Sequence, residues 1–515
     1  MTKIIAIEYT INLFILLFFH MHMFQLNSYH LNKHINWMKV NYKKIIIQIV
    51  LILIPLILSK INNILLNLNS IFILCISIIY NCPKSKSKIA FKLTNRVKRM
   101  FVTEIILFTI ILILGNIQNS ILIKLCILNI LTICVSLIVN FINFPIEHFI
   151  KNNYIKQAKK IIEDMPNLIV IGVTGSYGKT SVKNFLVKVL STKYEVLTTP
   201  KNYNTTMGVV KTIREELKPI HQIFVCEMGA DKIGEIKEIC DIVNPKIGII
   251  TAIGPQHLES FKSIENIIKT KFELLDALNK NKGTAFFNYN NEIIKNAPKP
   301  KMSILTYGIN DKNLDYNSYD VHSSSDGLTF KILDNLNKEI EFKTKLIGKH
   351  NVINITGAIA IANFLGIQID ELITCIRELK SVEHRLEVTS YGNLTIIDDS
   401  YNSNPVSSKS ALDTLSEFDG TKIIVTPGLI ELGDDEEKYN FEYGEYMVKI
   451  CDYIFLVGET HSKKILDGII SKNFNKDRIF TVNTPNEALK QIAKLNIVGK
   501  VNVLLENDLP DNYNL

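Results

Sequence analysis

Hydrophobic positions fall into two regimes along the chain. Up to residue 144 they come in long runs, Ile4–Phe24, Ile45–Leu58, Ile64–Tyr80, Phe101–Ile117 and Ile121–Phe144. Several are long enough to cross about 30 Å of hydrocarbon, and Ile45–Leu58 needs its flanks to do so. The pattern predicts about five membrane-spanning helices, with four as the alternative if Ile45–Tyr80 is one broken segment. A soluble helical bundle is disfavoured, because so many apolar runs exceed what a core requires. No small-residue cleavage site follows the first run, so it is expected to stay on the protein.

After Asn152 the runs shorten and alternate with amphipathic stretches. Apolar segments at 168–173, 223–226, 247–251, 283–287 and 303–306, separated by helical patterns, predict a largely parallel sheet wrapped by helices. Residues 317–347 alternate apolar and polar around Ser325-Asp326-Gly327, which predicts a small antiparallel hairpin patch. A second series, with strands at 393–397, 422–426, 453–457 and 501–505, predicts another α/β domain of Rossmann-like type. The expected organisation is a membrane region over 1–150, a phosphate-loop α/β domain over 151–382 and a C-terminal α/β domain over 383–515.

Charge sharpens this division. The whole chain carries +8. Residues 1–150 hold fourteen Lys/Arg against three acids, Glu8, Glu104 and Glu147, and the remainder holds 44 against 47. The basic surplus therefore belongs to the apolar third, which argues for a membrane surface and against nucleic acid. It gathers in three clusters: Lys33, Lys39, Lys43 and Lys44; Lys84, Lys86, Lys88, Lys92, Arg96, Lys98 and Arg99; and Lys151, Lys156, Lys159 and Lys160. Five spans with an external N-terminus put all three clusters in the cytoplasm, the positive-inside arrangement. The protein is expected in the cell membrane, multi-pass, with cytoplasmic catalytic domains. Eight scattered cysteines without a C-x-x-C pair exclude a zinc ribbon and give no disulfide framework.

The stretch Leu168–Leu190 carries the first chemistry. An apolar β-branched strand runs into Gly175-Ser176-Tyr177-Gly178-Lys179-Thr180, and Val182, Phe185, Leu186, Val189 and Leu190 then recur at helical spacing. Gly175 and Gly178 let backbone N–H groups converge on a phosphate at a helix N-terminus. Lys179 can reach terminal phosphates and Thr180 can ligand Mg²⁺. The loop is a shortened variant, since the usual spacing would put a first glycine at Val173. Glu227 ends the next buried run and is placed to hold Mg²⁺. His257 follows the run at 247–251, at another strand's carboxyl end. In the helix over 264–278, Lys271 shares a face with Ile264, Ile268, Leu275 and Leu278, a slot that periodicity assigns to an apolar side chain. A buried ammonium is expensive, so this amine snorkels outward or is paired or neutralised.

Seven motifs occur in the order found in Mur ligases: Thr174–Thr180 followed by Lys183, Glu227-Met228-Gly229-Ala230, Gly254–Glu259, Lys269-Thr270-Lys271-Phe272-Glu273, Gly348–Asn354, His384-Arg385-Leu386-Glu387 and Asp398–Pro405. The chain resembles that family over roughly 160–460, most of all its members that join D-alanyl-D-alanine to a UDP-linked muramoyl tripeptide. The resemblance implies ATP bound by Gly175, Ser176, Gly178, Lys179, Thr180 and Ser181. It implies adenine contacts from Asn351 and, with them, His350 and Asn354, and it brings Arg385 to the phosphates and Asp399 to the ribose. Two Mg²⁺ ions are implied, one at Thr180 and Glu227, the other at His257 and a carbamylated Lys271. Lys179, Lys271, His257 and Arg385 would be the catalytic groups of a ligase that activates a carboxylate as an acyl phosphate.

Three departures stand out. Membrane spans occupy the place of the family's UDP-sugar-binding domain, and the loop Pro200–Gly208 matches only in part. Leu504–Asp511 stands where a Lys-Gly-Ser segment is expected. Two alternatives follow: a membrane ligase acting on a lipid-linked or other carboxylate, and a non-catalytic nucleotide-binding scaffold. The scaffold leaves Lys271 and His257 without purpose, and no Leu-Ser-Gly-Gly-Gln signature of a transporter ATPase is present.

Overall fold

The computed structural model describes residues 2–61, 64–82, 90–114, 121–201, 203–333, 338–401, 403–458, 462–495 and 497–507. The chain forms two compact units that divide between Asn152 and Asn153.

The described elements of the first unit are all helices: Thr2–Leu26, Leu31–Val40, Tyr42–Ser59, Ile64–Asn81, Asn95–Leu114 and the start of Ile121–Glu163. Among the described residues four helices, not five, are long and apolar enough to cross a membrane: Thr2–Leu26, Tyr42–Ser59, Ile64–Asn81 and Ile121–Glu163. The helix Asn95–Leu114 opens with Arg96, Lys98 and Arg99 and contains Glu104, so charge occupies much of its length. The end of its expected apolar run, 115–117, and the basic residues Lys84, Lys86 and Lys88 lie outside the described residues. The four-span alternative also differs, because Tyr42–Ser59 and Ile64–Asn81 are separate helices.

Interhelical hydrogen bonds join these apolar helices. Asn12 Nδ2 donates to Asn129 Oδ1 at 3.0 Å, Asn12 Oδ1 accepts from Ser77 Oγ at 3.2 Å, and Gln48 Nε2 donates to Asn81 Oδ1 at 2.9 Å. Buried amides paired across helices in this way fix the register between them.

The second unit holds two sheets. Strands β1 (Ile169–Thr174), β2 (Val196–Thr198), β3 (Ile223–Glu227), β4 (Ile247–Ile250), β5 (Thr284–Asn288), β6 (Ser303–Ile309), β7 (Tyr316–Ser324), β8 (Gly327–Leu333) and β9 (Glu339–Thr344) pair in the order β2-β3-β1-β4-β5-β6-β7-β8-β9. Pairing is parallel from β2 through β7 and antiparallel for β7-β8 and β8-β9. The expected hairpin patch is thus no separate layer; β7 pairs alongside β6 and extends the main sheet.

Alternation along each strand supplies both faces. Ile171, Val173, Ile223 and Val225 pack with Val182, Phe185 and Leu186 and with the helix His350–Phe364. Val170, Phe224 and Cys226 pack on the other side with Ile236, Ile239, Ile267 and Leu274. Strands buried on both faces need apolar residues at every position, which is why these runs were readable in sequence.

The second sheet comprises β10 (Glu387–Tyr391), β11 (Leu394–Asp399), β12 (Thr421–Thr426), β13 (Tyr453–Val457), β14 (Ile479–Val482) and β15 (Val501–Glu506), in the order β10-β11-β15-β12-β13-β14. All pairs are parallel except β10-β11. The helix Pro405–Ser416 starts at an Asn404 capping box with Pro405 in its first turn.

Candidate active site

The phosphate loop joins β1 to the helix Lys179–Leu190. Gly175 has φ +152°, and a Cβ there would stand 2.1 Å from Thr251 Oγ1, so no other residue fits. The loop is fastened to the end of β4: Ser176 N donates to Ala252 O at 2.7 Å, Thr251 Oγ1 to Tyr177 O at 2.5 Å and Ser176 Oγ to Gly254 O at 3.0 Å. Such anchoring fixes the backbone donors that the helix N-terminus offers to an anion.

Lys179 folds back over its own loop, donating to Gly175 O at 2.6 Å and Ser176 O at 2.9 Å. Desolvation, resisted by Glu227 and reinforced by Arg385, pushes its pKa down to about 8.

Glu227, at the end of β3, is 1% exposed. Its Oε1 accepts from Thr180 Oγ1 at 3.2 Å and from Asn204 Nδ2 at 3.0 Å. Its Oε2 lies 3.1 Å from Lys183 Nζ as an ion pair but receives no hydrogen bond of good geometry among the described residues. Lys183 in turn donates to the carbonyls of Thr199 and Lys201 at 3.0 and 2.7 Å. A buried carboxylate with free lone pairs beside a threonine hydroxyl is an oxygen donor set that fits Mg²⁺.

Lys271 lies on the helix Ile264–Lys280, whose buried face runs through Ile267, Lys271, Leu274, Leu275 and Leu278; Ile264 and Ile268, expected on the same face as Lys271, lie half-buried at its margin. The side chain does not snorkel: the residue is 3% exposed. Burial, then the neighbouring Lys179, push its pKa down to about 7. Asp231, Glu235 and Glu273 act on it through space only. Its Nζ sits 5.7 Å from the Phe261 ring centroid.

His257 starts the turn Leu258–Phe261, with φ 51°. Its Nδ1 is 2.5 Å from Glu431 Oε2. Phe261, under Lys271, closes that same turn by donating N–H to His257 O at 3.0 Å.

The second sheet supplies the remaining groups. His384 Nδ1 lies 2.8 Å from Asp398 Oδ2, which raises the pKa of the imidazole, and Glu387 Oε2 accepts from His384 N. This turn presents Arg385, whose guanidinium stacks 4.7 Å from the Tyr401 ring centroid and lies within electrostatic reach of Lys179, His350 and Asp399. Asp399 accepts from Leu386 N at 3.2 Å; burial and the nearby Glu506 push its pKa up to about 7, against Arg385. Glu506 is fully buried and accepts from Ser408 Oγ at 2.6 Å, Thr426 Oγ1 at 3.0 Å and Ser403 Oγ. Pro255 faces Pro405, Val406, Lys409, Ser410, Asp413 and Tyr439 across a cleft of about 460 Å³.

Lys179, Thr180, Glu227, Lys271 and Arg385 thus share one neighbourhood, Asp399 borders it, and His257 stands on the adjoining turn. Ser181 follows in the first helical turn. Asn354 lies against the loop at Gly178 rather than apart from it, while Asn351 donates to Ile347 O at 2.8 Å and His350 Nδ1 meets Ser410 Oγ at 3.0 Å. Sequence reading gave no role to Asn204, Lys183, Glu431 or Glu506. For Lys183 a signal existed: a lysine between Val182 and Phe185 interrupts the apolar face as Lys271 does.

Two family models match the chain, the Mur ligase middle domain over residues 173–362 and the Mur ligase glutamate ligase domain over 384–505. The UDP-N-acetylmuramoyl-tripeptide–D-alanyl-D-alanine ligase of Bacillus subtilis is 34% identical over 63% of this chain and 70% of its own length. The Escherichia coli enzyme of the same name is 28% identical over 65% and 75%. Among solved structures, MurF from Acinetobacter baumannii superposes with a TM-score of 0.63 at 25% identity over 70% of this chain and 77% of that one. MurF from Thermotoga maritima in complex with ADP has the same fold, with a TM-score of 0.61, 24% identity and coverage of 69% and 80%. With both domain models in sequence order on the two sheets just described, the chain belongs to the Mur ligase family, a family of ATP-dependent ligases.

Proposed function

We propose that this protein is an ATP-dependent ligase of peptidoglycan precursor synthesis that joins D-alanyl-D-alanine to the terminal carboxylate of a UDP-linked muramoyl tripeptide. The observation that carries this reading is the convergence of Lys179, Thr180, Glu227, Lys271 and Arg385 in a chain so similar to ligases of that name. The working domains are read as 151–382 and 383–515, after a membrane region over 1–150.

In the reaction, an oxygen of the substrate carboxylate attacks the γ-phosphorus of ATP. The bond from that phosphorus to the bridging oxygen breaks, and ADP leaves. The amine of D-alanyl-D-alanine then attacks the acyl carbon, loses a proton, and phosphate departs with the acyl C–O bond. Lys179 leaves its loop carbonyls for the β and γ phosphates, and Arg385 lies over the same charge from the C-terminal domain. Gly175, Ser176, Gly178 and Ser181 offer loop donors; Asn351, Asn354 and His350 border the base, and Asp399 accepts from the ribose. Thr180 and Glu227 would hold one Mg²⁺, His257 and Lys271 a second; these ions offset charge among oxygens that repel one another.

Lys271 is read as N-carboxylated. A neutral amine attacks CO₂, forms the N–C bond and releases a proton, and a buried lysine with a lowered pKa supplies that neutral amine at ordinary pH. The product is an anionic ligand where a bare ammonium would repel Lys179 and any metal.

The apolar helices favour a second reading in one respect, a carboxylate substrate carried on a membrane lipid. Phosphate release from ATP decides between them. Stimulation by D-alanyl-D-alanine with UDP-muramoyl tripeptide is expected; stimulation only when the muramoyl peptide is lipid-linked would select the second, and none with any carboxylate and amine would leave a scaffold. The catalytic part is read as cytoplasmic, with basic clusters inside. If Asn95–Leu114 also crosses, as five spans require, a reporter fused after Arg99 is expected to report cytoplasm and one after Asn119, which lies outside the described residues, the exterior; the same side for both would leave four spans, and the reverse pattern refutes this topology.

A further inference from the structure

The turn Leu258–Phe261 is gripped at both ends. At one end Phe261 belongs to the core beneath the first sheet and lies under Lys271. At the other, Leu258 packs into the core of the second sheet, Glu259 N donates to Glu431 O at 3.2 Å, and Glu431 Oε2 meets His257 Nδ1 at 2.5 Å. Glu431 is not a loose surface acid. Its loop is pinned by Leu429 and Leu432, 1% and 2% exposed, and by Asn440, which accepts from Leu429 N and donates to Leu429 O, both at 2.9 Å. His257 and Glu431 both hold left-handed backbone, φ 51° and 63°, which branched or bulky residues avoid unless their surroundings enforce it.

We propose that Glu431 is a positioning residue for the reaction: a carboxylate carried by the C-terminal domain that orients the imidazole of His257, on the central domain, for metal binding. A carboxylate on Nδ1 holds the proton there and leaves Nε2 with its lone pair free, the tautomer a metal requires. Because donor and acceptor lie 174 residues apart, in loops that follow strands of different sheets, the ion site at His257 is completed only when the two domains adopt this arrangement. Metal affinity at His257 is therefore coupled to domain position, and the Thr180–Glu227 site, built wholly within the central domain on β3 and the helix Lys179–Leu190, is not. This rests on the reading of His257 as a metal ligand.

The test is Mn²⁺ binding to the full-length protein with a non-hydrolysable ATP analogue, followed by electron paramagnetic resonance. The wild type is expected to bind two ions. Glu431→Ala is expected to weaken one of them about tenfold, the usual effect of losing such an outer partner, and to leave the other unchanged. Glu431→Gln, which still offers Nδ1–H an acceptor, is expected to recover most of the loss. Where the alanine variant does not fold, Glu431→Asp, too short to reach the ring, is expected to show the same selective weakening. Two wild-type affinities in the alanine or aspartate variant, or equal weakening of both ions, overturn the proposal. A wild type that binds a single ion overturns the two-metal reading instead, and the two failures are thereby distinct.

Discussion

Lys271→Ala is expected to reduce ligation by about a hundredfold to a thousandfold, the range seen when one group that stabilises transition-state charge is removed. The variant loses the anionic ligand that carboxylation would provide, and the cavity left by the side chain suits a small carboxylic acid. Partial recovery of phosphate release with acetate or formate is therefore expected, and full activity without either would remove the carbamate from the mechanism. A second readout is independent of turnover. The amine titrates near pH 7 in the folded chain and near 10.5 when unfolded. Between those values the unfolded chain binds more protons, so this residue makes stability rise with pH across that window. Lys271→Met should flatten that rise in pH-dependent denaturation, in protein kept free of CO₂; an unchanged slope would mean that the amine is not buried.

Glu227→Ala carries the second large effect, and it acts on stability as well as on catalysis. Lys183 and Glu227 are both about 2% exposed along their side chains. Removing the acid strands the lysine, a change that typically costs about 3–5 kcal/mol. Replacing both, as Lys183→Met with Glu227→Ala, should restore most of that stability, because a flexible apolar side chain refills the space without a charge. Activity should stay absent in the double variant, since the oxygen ligand beside Thr180 is still missing. Denaturant midpoints for the two single variants and the double variant give the coupling directly. Strict additivity would mean that the pair does not interact, and an active double variant would mean that Glu227 holds no metal.

What was legible in the sequence follows from burial. Strands β1, β3, β4 and β5 lie between two helical layers, so their apolar character is continuous and their positions stood out. Strand β10 is mostly exposed and lies at one edge of its sheet, and β2 is three residues long; neither leaves an apolar run to find. The alternation of β7–β9 is plain in the sequence, but no local signal says that β7 joins β6. Lys271 was conspicuous because a charge interrupts an apolar face. Glu431 was invisible for the opposite reason: an acid in a polar loop looks ordinary, and its partner is fixed by tertiary structure alone. The helix Asn95–Leu114 begins upstream of the apolar run at Phe101, so it takes in Arg96, Lys98 and Arg99, which a reading of apolar runs leaves out.

The posture of Lys179 bears on what the enzyme admits. With two of its three N–H donors on Gly175 O and Ser176 O, its ammonium is not a bare cation for sulfate or orthophosphate to meet. An intruder of that size must break two internal contacts while reaching few of the surrounding donors. A ligand with a chain of linked phosphates replaces both contacts and engages the rest of the loop at the same time. On the proposed reading of Lys179 as a phosphate ligand, selectivity for nucleotide over small anions would be set by a side chain that has to be displaced.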